Sequence, residues 1–112
     1  MTNEELNTQL YEKMFAEQEA FKEHLLTLPP NEILDHAYEY FVREDILLVQ
    51  ESSDRTDKQC MALLKSKTPL ADTFAKFQEQ ETGYMDTVED AFESHANELI
   101  RKEFLKSRDE AR

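Results

Sequence analysis

The chain of 112 residues carries 25 Asp and Glu residues against 13 Lys and Arg residues, a formal net charge of −12 at pH 7. A charge this negative opposes direct binding to nucleic acid or to an anionic membrane, because like charges repel. Aromatic and leucine residues are too frequent for a disordered chain, and one glycine and three prolines leave little material for β-turns. We therefore predict an all-α protein, with residues 1–112 forming a single-domain bundle of four to five helices.

The sequence also indicates the compartment. No apolar run approaches the ~20 residues that cross a bilayer. The acidic N-terminus, residues 1–5, lacks the basic start of a signal peptide. Cys60 is the only cysteine, so an internal disulfide cannot form. These features predict a cytoplasmic protein that does not associate with membranes.

The first predicted helix begins at a capping box formed by Thr2 and Glu5. It ends before Pro29, because the residue before a proline avoids the α region. Its inner face carries apolar residues at helical spacing, namely Leu6, Leu10, Met14, Phe21, Leu25 and Leu28.

Pro30 is suited to open a second helix, because a proline in the first turn loses no helical hydrogen bond. We expect this helix to run to about Glu51, with Tyr40 and Phe41 facing the core. Residues 52–55 are polar and predict a break.

Thr56 and Gln59 resemble a second capping box and open a short helix. The apolar residues that this helix is expected to bury are Met61, Leu63 and Leu64. Pro69 starts the next helix behind a cap provided by Thr68. The inner face of that helix carries Leu70, Phe74 and Phe77.

Gly83, the only glycine, is expected to end this helix in the left-handed conformation, which costs glycine little. The last helix carries apolar residues at helical spacing, namely Met85, Val88, Phe92, Ala96, Leu99 and Phe104. Residues 107–112 lack apolar anchors and are expected to fray.

The acidic residues are concentrated in particular stretches, and residues 79–98 contain seven carboxylates and no Lys or Arg. Four of them follow the i, i+3, i+4, i+7 spacing of one helical face: Asp86, Glu89, Asp90 and Glu93. A second, looser set lies on the first helix: Glu12, Glu19 and Glu23. We interpret both as candidate partner-binding surfaces that occupy a basic groove, and Tyr38 as a further contact residue. The alternative is a solvated face that maintains solubility.

Candidate catalytic and metal-binding groups are few. Glu32, His36 and Glu39 share a helical spacing but lack further ligands nearby, so a surface or half-buried histidine is favoured. A lone Cys60 beside apolar neighbours is typical of a small packed residue. A phosphate-binding loop needs more glycine than this chain contains. The sequence therefore predicts a protein that is not an enzyme and uses no cofactor or metal.

Five blocks resemble a family of small bacterial proteins that is classed only as a domain of unknown function. The blocks are residues 10–18 (LYEKMFAEQ), 36–40 (HAYEY), 42–48 (VREDILL), 69–72 (PLAD) and 84–87 (YMDT). The resemblance covers roughly residues 6–100 and brings no catalytic residue with it. It implies an origin on conjugative transposons and phage-like elements of anaerobic gut bacteria. Small acidic proteins of such mobile elements are often counter-defence factors, including inhibitors of CRISPR nucleases.

We therefore expect a non-enzymatic acidic inhibitor encoded on a mobile element, an anti-CRISPR protein that imitates DNA and blocks the nucleic-acid channel of Cas9 or a related nuclease. The expected partner is a protein with a basic surface, either such a nuclease or another DNA-binding protein. The alternative is a helical adaptor or oligomerisation module of a conjugative or phage-like element. A third interpretation is a regulator that sequesters a basic DNA-binding protein.

Overall fold

The computed structural model describes residues 1–81 and 83–110, and this part of the chain is helical without a β-strand. The all-α prediction is confirmed. The described chain forms six helices, α1 (Asn3–Leu25), α2 (Pro30–Asp35), α3 (Ala37–Ser52), α4 (Asp57–Leu64), α5 (Pro69–Gln80) and α6 (Tyr84–Glu110). None of these helices is sufficiently long and apolar to span a bilayer.

The additional helix arises because the second predicted helix is interrupted at His36. The backbone of His36 leaves the helical region, with φ −104° and ψ 1°, and α3 begins at the next residue. The His36 ring packs edge-on against Phe21 of α1, with 6.2 Å between ring centroids. Pro30 opens α2 as predicted.

The chain divides into two compact units, residues 1–78 and residues 79–112. The first unit contains α1 to α4 and most of α5, and the second contains α6. A single domain over residues 1–112 requires both units to unfold in one cooperative transition. This stays a prediction.

The core of the first unit lies where α1 packs against α3 and α4. Leu10 and Leu70 are completely buried in it. The buried cluster consists of Leu6, Leu10, Met14, Leu47, Cys60 and Leu70. The apolar spacing along α1 therefore predicted the residues around which this unit is built.

Asn7 joins α1 to the end of α3 and to the loop that follows it. Its Oδ1 accepts hydrogen bonds from the backbone N–H of Arg55 at 2.8 Å and from Nε2 of Gln50 at 3.0 Å. Its Nδ2 donates to the backbone carbonyl of Arg55 at 3.0 Å. Asn7 and Gln50 are both buried, so these bonds satisfy groups that water cannot reach.

Lys13 and Glu17, one turn apart on α1, hold both ends of the connection between α4 and α5. Lys13 Nζ donates a hydrogen bond to the carbonyl of Leu64, the last residue of α4, at 2.8 Å. The two oxygens of Glu17 accept from the backbone N–H groups of Leu70 and Ala71, each at 2.8 Å. A cation at a helix C-terminus and an anion at a helix N-terminus both complement the helix dipole.

The sequence predicted the two earlier helix caps more accurately than the cap of α5. Thr2 accepts from the N–H of Glu5, and the capping box of Thr56 and Gln59 is complete in both directions. Thr68, in contrast, donates its hydroxyl to Asp72 Oδ1 at 3.1 Å. The amides of the first turn of α5 are bound by Glu17.

Three side chains that were expected to face the core are exposed: Phe41 (66%), Met61 (49%) and Phe77 (36%). On α4 the neighbouring residue Cys60 is the one that is buried, because consecutive helical side chains point about 100° apart. On α3 and α4 the face chosen for the core was therefore displaced by one residue, since Val42 and Cys60 are buried beside Phe41 and Met61.

The expectation for Gly83 needs correction. Gly83 does not adopt the left-handed conformation, and α5 already ends at Gln80. The Gly83 carbonyl instead accepts the N–H of Thr87 at 2.9 Å, so the glycine opens α6. Residues 107–110 are part of α6, and residues 111–112 lie outside the described residues, so fraying of residues 107–112 stays a prediction.

Candidate functional site

The acidic row of α6, which we define as Asp86, Glu89, Asp90 and Glu93, lies on one exposed face of that helix. The helical spacing places neighbouring carboxylates about 5–6 Å apart and the whole row within about 10 Å along the axis. Within residues 1–81 and 83–110, no Lys or Arg forms an ion pair with these four side chains. The row is thus a concentrated patch of negative charge.

The acidic set of α1 lies in the first unit. Glu12, Glu19 and Glu23 are exposed and fall within about 40° of one another around the helix axis. They extend over about 16 Å of α1, a lower charge density than that of α6. The structure therefore confirms the helical placement of both sets but distinguishes a dense row from a sparse one.

Tyr38 lies in the first turn of α3 and is 43% exposed. Its ring contacts Phe74 of α5 edge-on, with 6.2 Å between centroids. The side chain thus contributes to packing between α3 and α5 while its remaining surface is accessible. A role in partner binding stays a prediction.

A buried polar cluster of the first unit surrounds Arg43, which the sequence interpretation did not single out. Arg43 is 3% exposed and pairs with Glu39 at 2.9 Å and with Glu17 at 3.4 Å. Its guanidinium also lies 3.9 Å from the centroid of the Phe21 ring. These partners lie on α1 and α3, so Arg43 links the two helices.

Gln18 extends this cluster along α1. It is 1% exposed, and its Nε2 donates to the carbonyl of Tyr40 at 3.2 Å and to Glu44 Oε1 at 3.0 Å. One sequence signal could have revealed the cluster. The apolar stripe of α1 has a spacing of seven between Met14 and Phe21, and Gln18 occupies the missing inward position.

The potential metal site on α2 and α3 does not assemble. His36 is half-buried, as favoured above, and its ring contacts Phe21. Glu39 pairs with Arg43, while Glu32 is exposed. In the part of the chain that the structure describes, no three ligand-type side chains converge on one point.

Cys60 is fully buried, and its Sγ lies 3.8 Å from the carbonyl oxygen of Arg55. Burial, together with the nearby carboxylate of Asp57, raises the pKa of the thiol and disfavours the nucleophilic thiolate. We expect the native protein to react with Ellman's reagent at pH 8 at least about 100-fold more slowly than the urea-unfolded protein, because exposure requires a costly opening. Rapid reaction of the native protein would show that Cys60 is accessible.

Besides the acidic row, α6 carries exposed apolar side chains, since the described part of this helix contains no buried residue. The most exposed large side chains are Phe92 (76%), Met85 (70%), Phe104 (65%) and Ile100 (63%). A soluble protein rarely exposes so many neighbouring apolar side chains without a binding role. The acidic row and this apolar surface lie on the same helix.

A comparison with protein-family models matched residues 6–100 to the family described as Protein of unknown function (DUF3848). The match extends from α1 into α6 and covers most of the chain, so the chain belongs to this family. Comparisons with curated proteins and with solved structures gave no match.

Proposed function

We propose that this member of the DUF3848 family is a non-enzymatic inhibitor that binds a basic protein surface through the acidic row of α6. By occupying that surface, it would prevent nucleic acid from binding there. The observation that carries the proposal is the row itself, four exposed carboxylates on one helical face. Residues 84–100 around it include five acidic residues and no Lys or Arg.

A helix is a suitable carrier for such a row because its backbone fixes the spacing of the charges before binding. Carboxylates about 5–6 Å apart are comparable in scale to neighbouring phosphates of a nucleic-acid strand. Lys and Arg side chains that line a groove and bind phosphates could therefore pair with the carboxylates of α6 at a similar spacing. Complementary charge would accelerate association and make binding sensitive to salt.

The proposed partner is a DNA- or RNA-binding protein with a basic channel, and a CRISPR nuclease is the first candidate. The small size and negative charge of the chain support this choice, as does the mobile-element origin that the resemblance implies. The inhibitor would act by occlusion and would need no bound group of its own.

The proposal is tested first with guide-loaded Cas9, adding the purified protein before the target DNA. We expect loss of DNA cleavage together with loss of DNA binding in a gel shift. Loss of cleavage with DNA binding retained would contradict occlusion and direct attention to the nuclease domains. No effect on either would exclude this nuclease as the partner.

The acidic row is tested by the variant D86N/E89Q/D90N/E93Q, which removes four charges with little change of shape. At about 0.5–1 kcal/mol for each exposed pair, we expect the Kd for the partner to rise about 30- to 1000-fold. The matched control E32Q/D35N/E51Q/D54N removes the same charge from exposed positions outside both acidic sets. Equal weakening by both variants would show that overall charge, not the row, governs binding.

The second candidate function is a helical adaptor or oligomerisation module. The exposed apolar side chains of α6 favour it, because an acidic row alone gives no reason for their exposure. An adaptor would bind protein without affecting DNA cleavage, so the same assay separates the two functions.

A further inference from the structure

An apolar groove in the first unit lies between the end of α1, the helix α2 and the first turns of α3. It encloses about 400 Å³, a volume typical of ligand-binding clefts. Six apolar or aromatic side chains line this apolar groove: Leu25, Leu26, Ile33, Ala37, Tyr40 and Phe41. The groove is open to solvent, so its lining is accessible to a binding partner.

The exposure of the groove walls indicates the size of the occupant. Leu26, the residue after α1, is 68% exposed, and Phe41 is 66% exposed, whereas Leu25 is buried. A small molecule seated against Leu25 would leave the outer surfaces of Leu26 and Phe41 in water. A helix about 10 Å across would cover both walls. Amphipathic helices commonly bind apolar grooves in this way.

The face of α3 that lines the groove continues beyond it. Ala37, Phe41 and Leu48 fall within about 40° of one another around the helix axis and extend over about 16 Å. Leu48 is 60% exposed. The apolar strip of α3 therefore has the length of about three turns of a bound helix.

The surroundings of the groove are acidic. Residues 19–45 include every side chain that lines it and contain seven Asp and Glu residues against two Lys and Arg residues. One of these two bases, Arg43, is buried and paired with Glu17 and Glu39. The other, Lys22, lines the groove but is exposed, so its apolar stem contacts the groove while its ammonium group reaches water.

Two carboxylates lie close to the groove wall that Tyr40 forms. Burial raises the pKa of the Tyr40 hydroxyl, as do the carboxylate of Glu44, which accepts a hydrogen bond from it, and the nearby Glu19. Around α1, Glu19 and Leu26 fall within about 20° of each other, so this carboxylate lies on the groove side of the helix. Carboxylates beside an apolar groove are complementary to a helix whose apolar face is flanked by Lys and Arg.

We propose that the apolar groove binds a basic amphipathic helix of a partner protein. The apolar face of that helix would cover Leu26 and Phe41, and its Lys and Arg side chains would lie beside Glu19 and Glu44. An acidic helix offers the same apolar area but is repelled by the carboxylates, so charge determines which helix binds. The same charge disfavours an anionic lipid or a nucleotide as the occupant.

A synthetic peptide tests the proposal. The probe is an alanine-based helix of about 18 residues, with a stripe of leucine that includes one tryptophan and with lysine on both sides of the stripe. The chain contains no tryptophan, so the emission of this residue reports binding to the full chain. We expect saturable binding of this peptide and none of the same peptide with glutamate in place of lysine. Equal binding of both peptides, or of neither, overturns the proposal.

The variant F41S tests the position of the bound peptide. We expect the Kd to rise at least about tenfold, because buried aromatic side chains dominate the affinity of most interfaces. M61S is the matched control, since Met61 is 49% exposed but lies on α4, outside the groove. Circular dichroism establishes that both variants retain the helical content of the wild type. An unchanged Kd in F41S, or equal weakening by M61S, overturns the position.

The variant E19Q/E23Q tests the role of charge. At about 0.2–1 kcal/mol for each exposed pair, the loss of two carboxylates should raise the Kd of the lysine peptide about 2- to 30-fold. The control E51Q/D54N removes the same charge from exposed positions outside the groove. Equal weakening by the two variants would show that overall charge attracts the peptide, and would contradict recognition by the groove.

This inference does not depend on the proposed inhibition, because the groove belongs to the first unit and the acidic row to α6. F41S leaves the acidic row intact, and D86N/E89Q/D90N/E93Q leaves the groove intact. If the latter variant weakened peptide binding as much as F41S, α6 would share the peptide and the groove assignment would fail. Peptide binding without inhibition, or inhibition without peptide binding, identifies which of the two proposals has failed.

Discussion

Replacement of Glu17 by glutamine is expected to lower the free energy of unfolding by about 3 kcal/mol, as measured by urea denaturation. Glu17 accepts the N–H groups of Leu70 and Ala71 and pairs with the buried guanidinium of Arg43. A glutamine offers one acceptor in place of two and directs its own N–H₂ group toward a backbone donor or Arg43. Removing this carboxylate is costly because the buried Arg43 loses one of its two ion-pair partners and keeps only Glu39.

The control for this experiment is E19Q, which removes an exposed carboxylate two residues away on the same helix and should change stability by less than about 0.5 kcal/mol. A double-mutant cycle with R43M separates the two roles of Glu17. If the cost arises from the lost ion pair between Glu17 and Arg43, E17Q should be less destabilising in the R43M background. Strict additivity would instead assign the whole effect to the amides of α5.

Replacement of Leu10 by alanine is expected to lower the free energy of unfolding by about 3–5 kcal/mol. Leu10 is completely buried in the core formed by α1, α3 and α4, and truncation leaves a cavity there. A small domain is often stable by only about 5–15 kcal/mol, so this variant approaches the limit of folding.

L48A provides the matched control because Leu48 is 60% exposed on α3, and we expect a change of less than about 1 kcal/mol. The same measurement examines cooperativity. If the helical signal of L10A is lost in a single transition, both units unfold together. If about 30% of the helical signal persists after the core has melted, α6 is stable separately. Similar destabilisation by L10A and L48A would contradict the position of the core.

Local patterns in the sequence predicted the local features of the fold. The apolar spacing of α1 identified Leu10 and Met14, and the N-cap residues Thr2 and Thr56 indicated two helix starts. Each of these signals operates over three or four residues, within one or two turns of helix. The helical class and the polar breaks between helices could be inferred for the same reason.

The features that sequence did not predict depend on contacts between distant segments. Arg43 is buried because Glu17, 26 positions away, and Phe21 surround it. Nothing near Arg43 in the chain distinguishes it from an exposed arginine. Likewise the helix ends at His36 although the apolar period continues through it, and the His36 ring contacts Phe21 of another helix.

Part of the candidate surface could be predicted from the sequence because acidic residues on a helix are usually exposed. The spacing of Asp86, Glu89, Asp90 and Glu93 placed the acidic row on one face, and the structure agrees. The exposure of Phe92 and Phe104 was not foreseen, since a single-domain bundle is expected to bury an apolar face of each of its helices. An amphipathic pattern indicates which face of a helix is buried but not which surface buries it.

The positions of Lys13 and Glu17 have a consequence for the topology of the chain. Lys13 binds the C-terminus of α4, and Glu17 binds the N-terminus of α5. These two contacts form only when the chain passes over α1 in one direction. A misfolded arrangement with the same helices but the reverse path would bring Lys13 beside amide donors and Glu17 beside carbonyls. Both encounters are repulsive. The native and the reversed chain paths would bury similar apolar surface. Lys13 and Glu17 therefore favour the native path over the reversed one, and so contribute to the specificity of the fold.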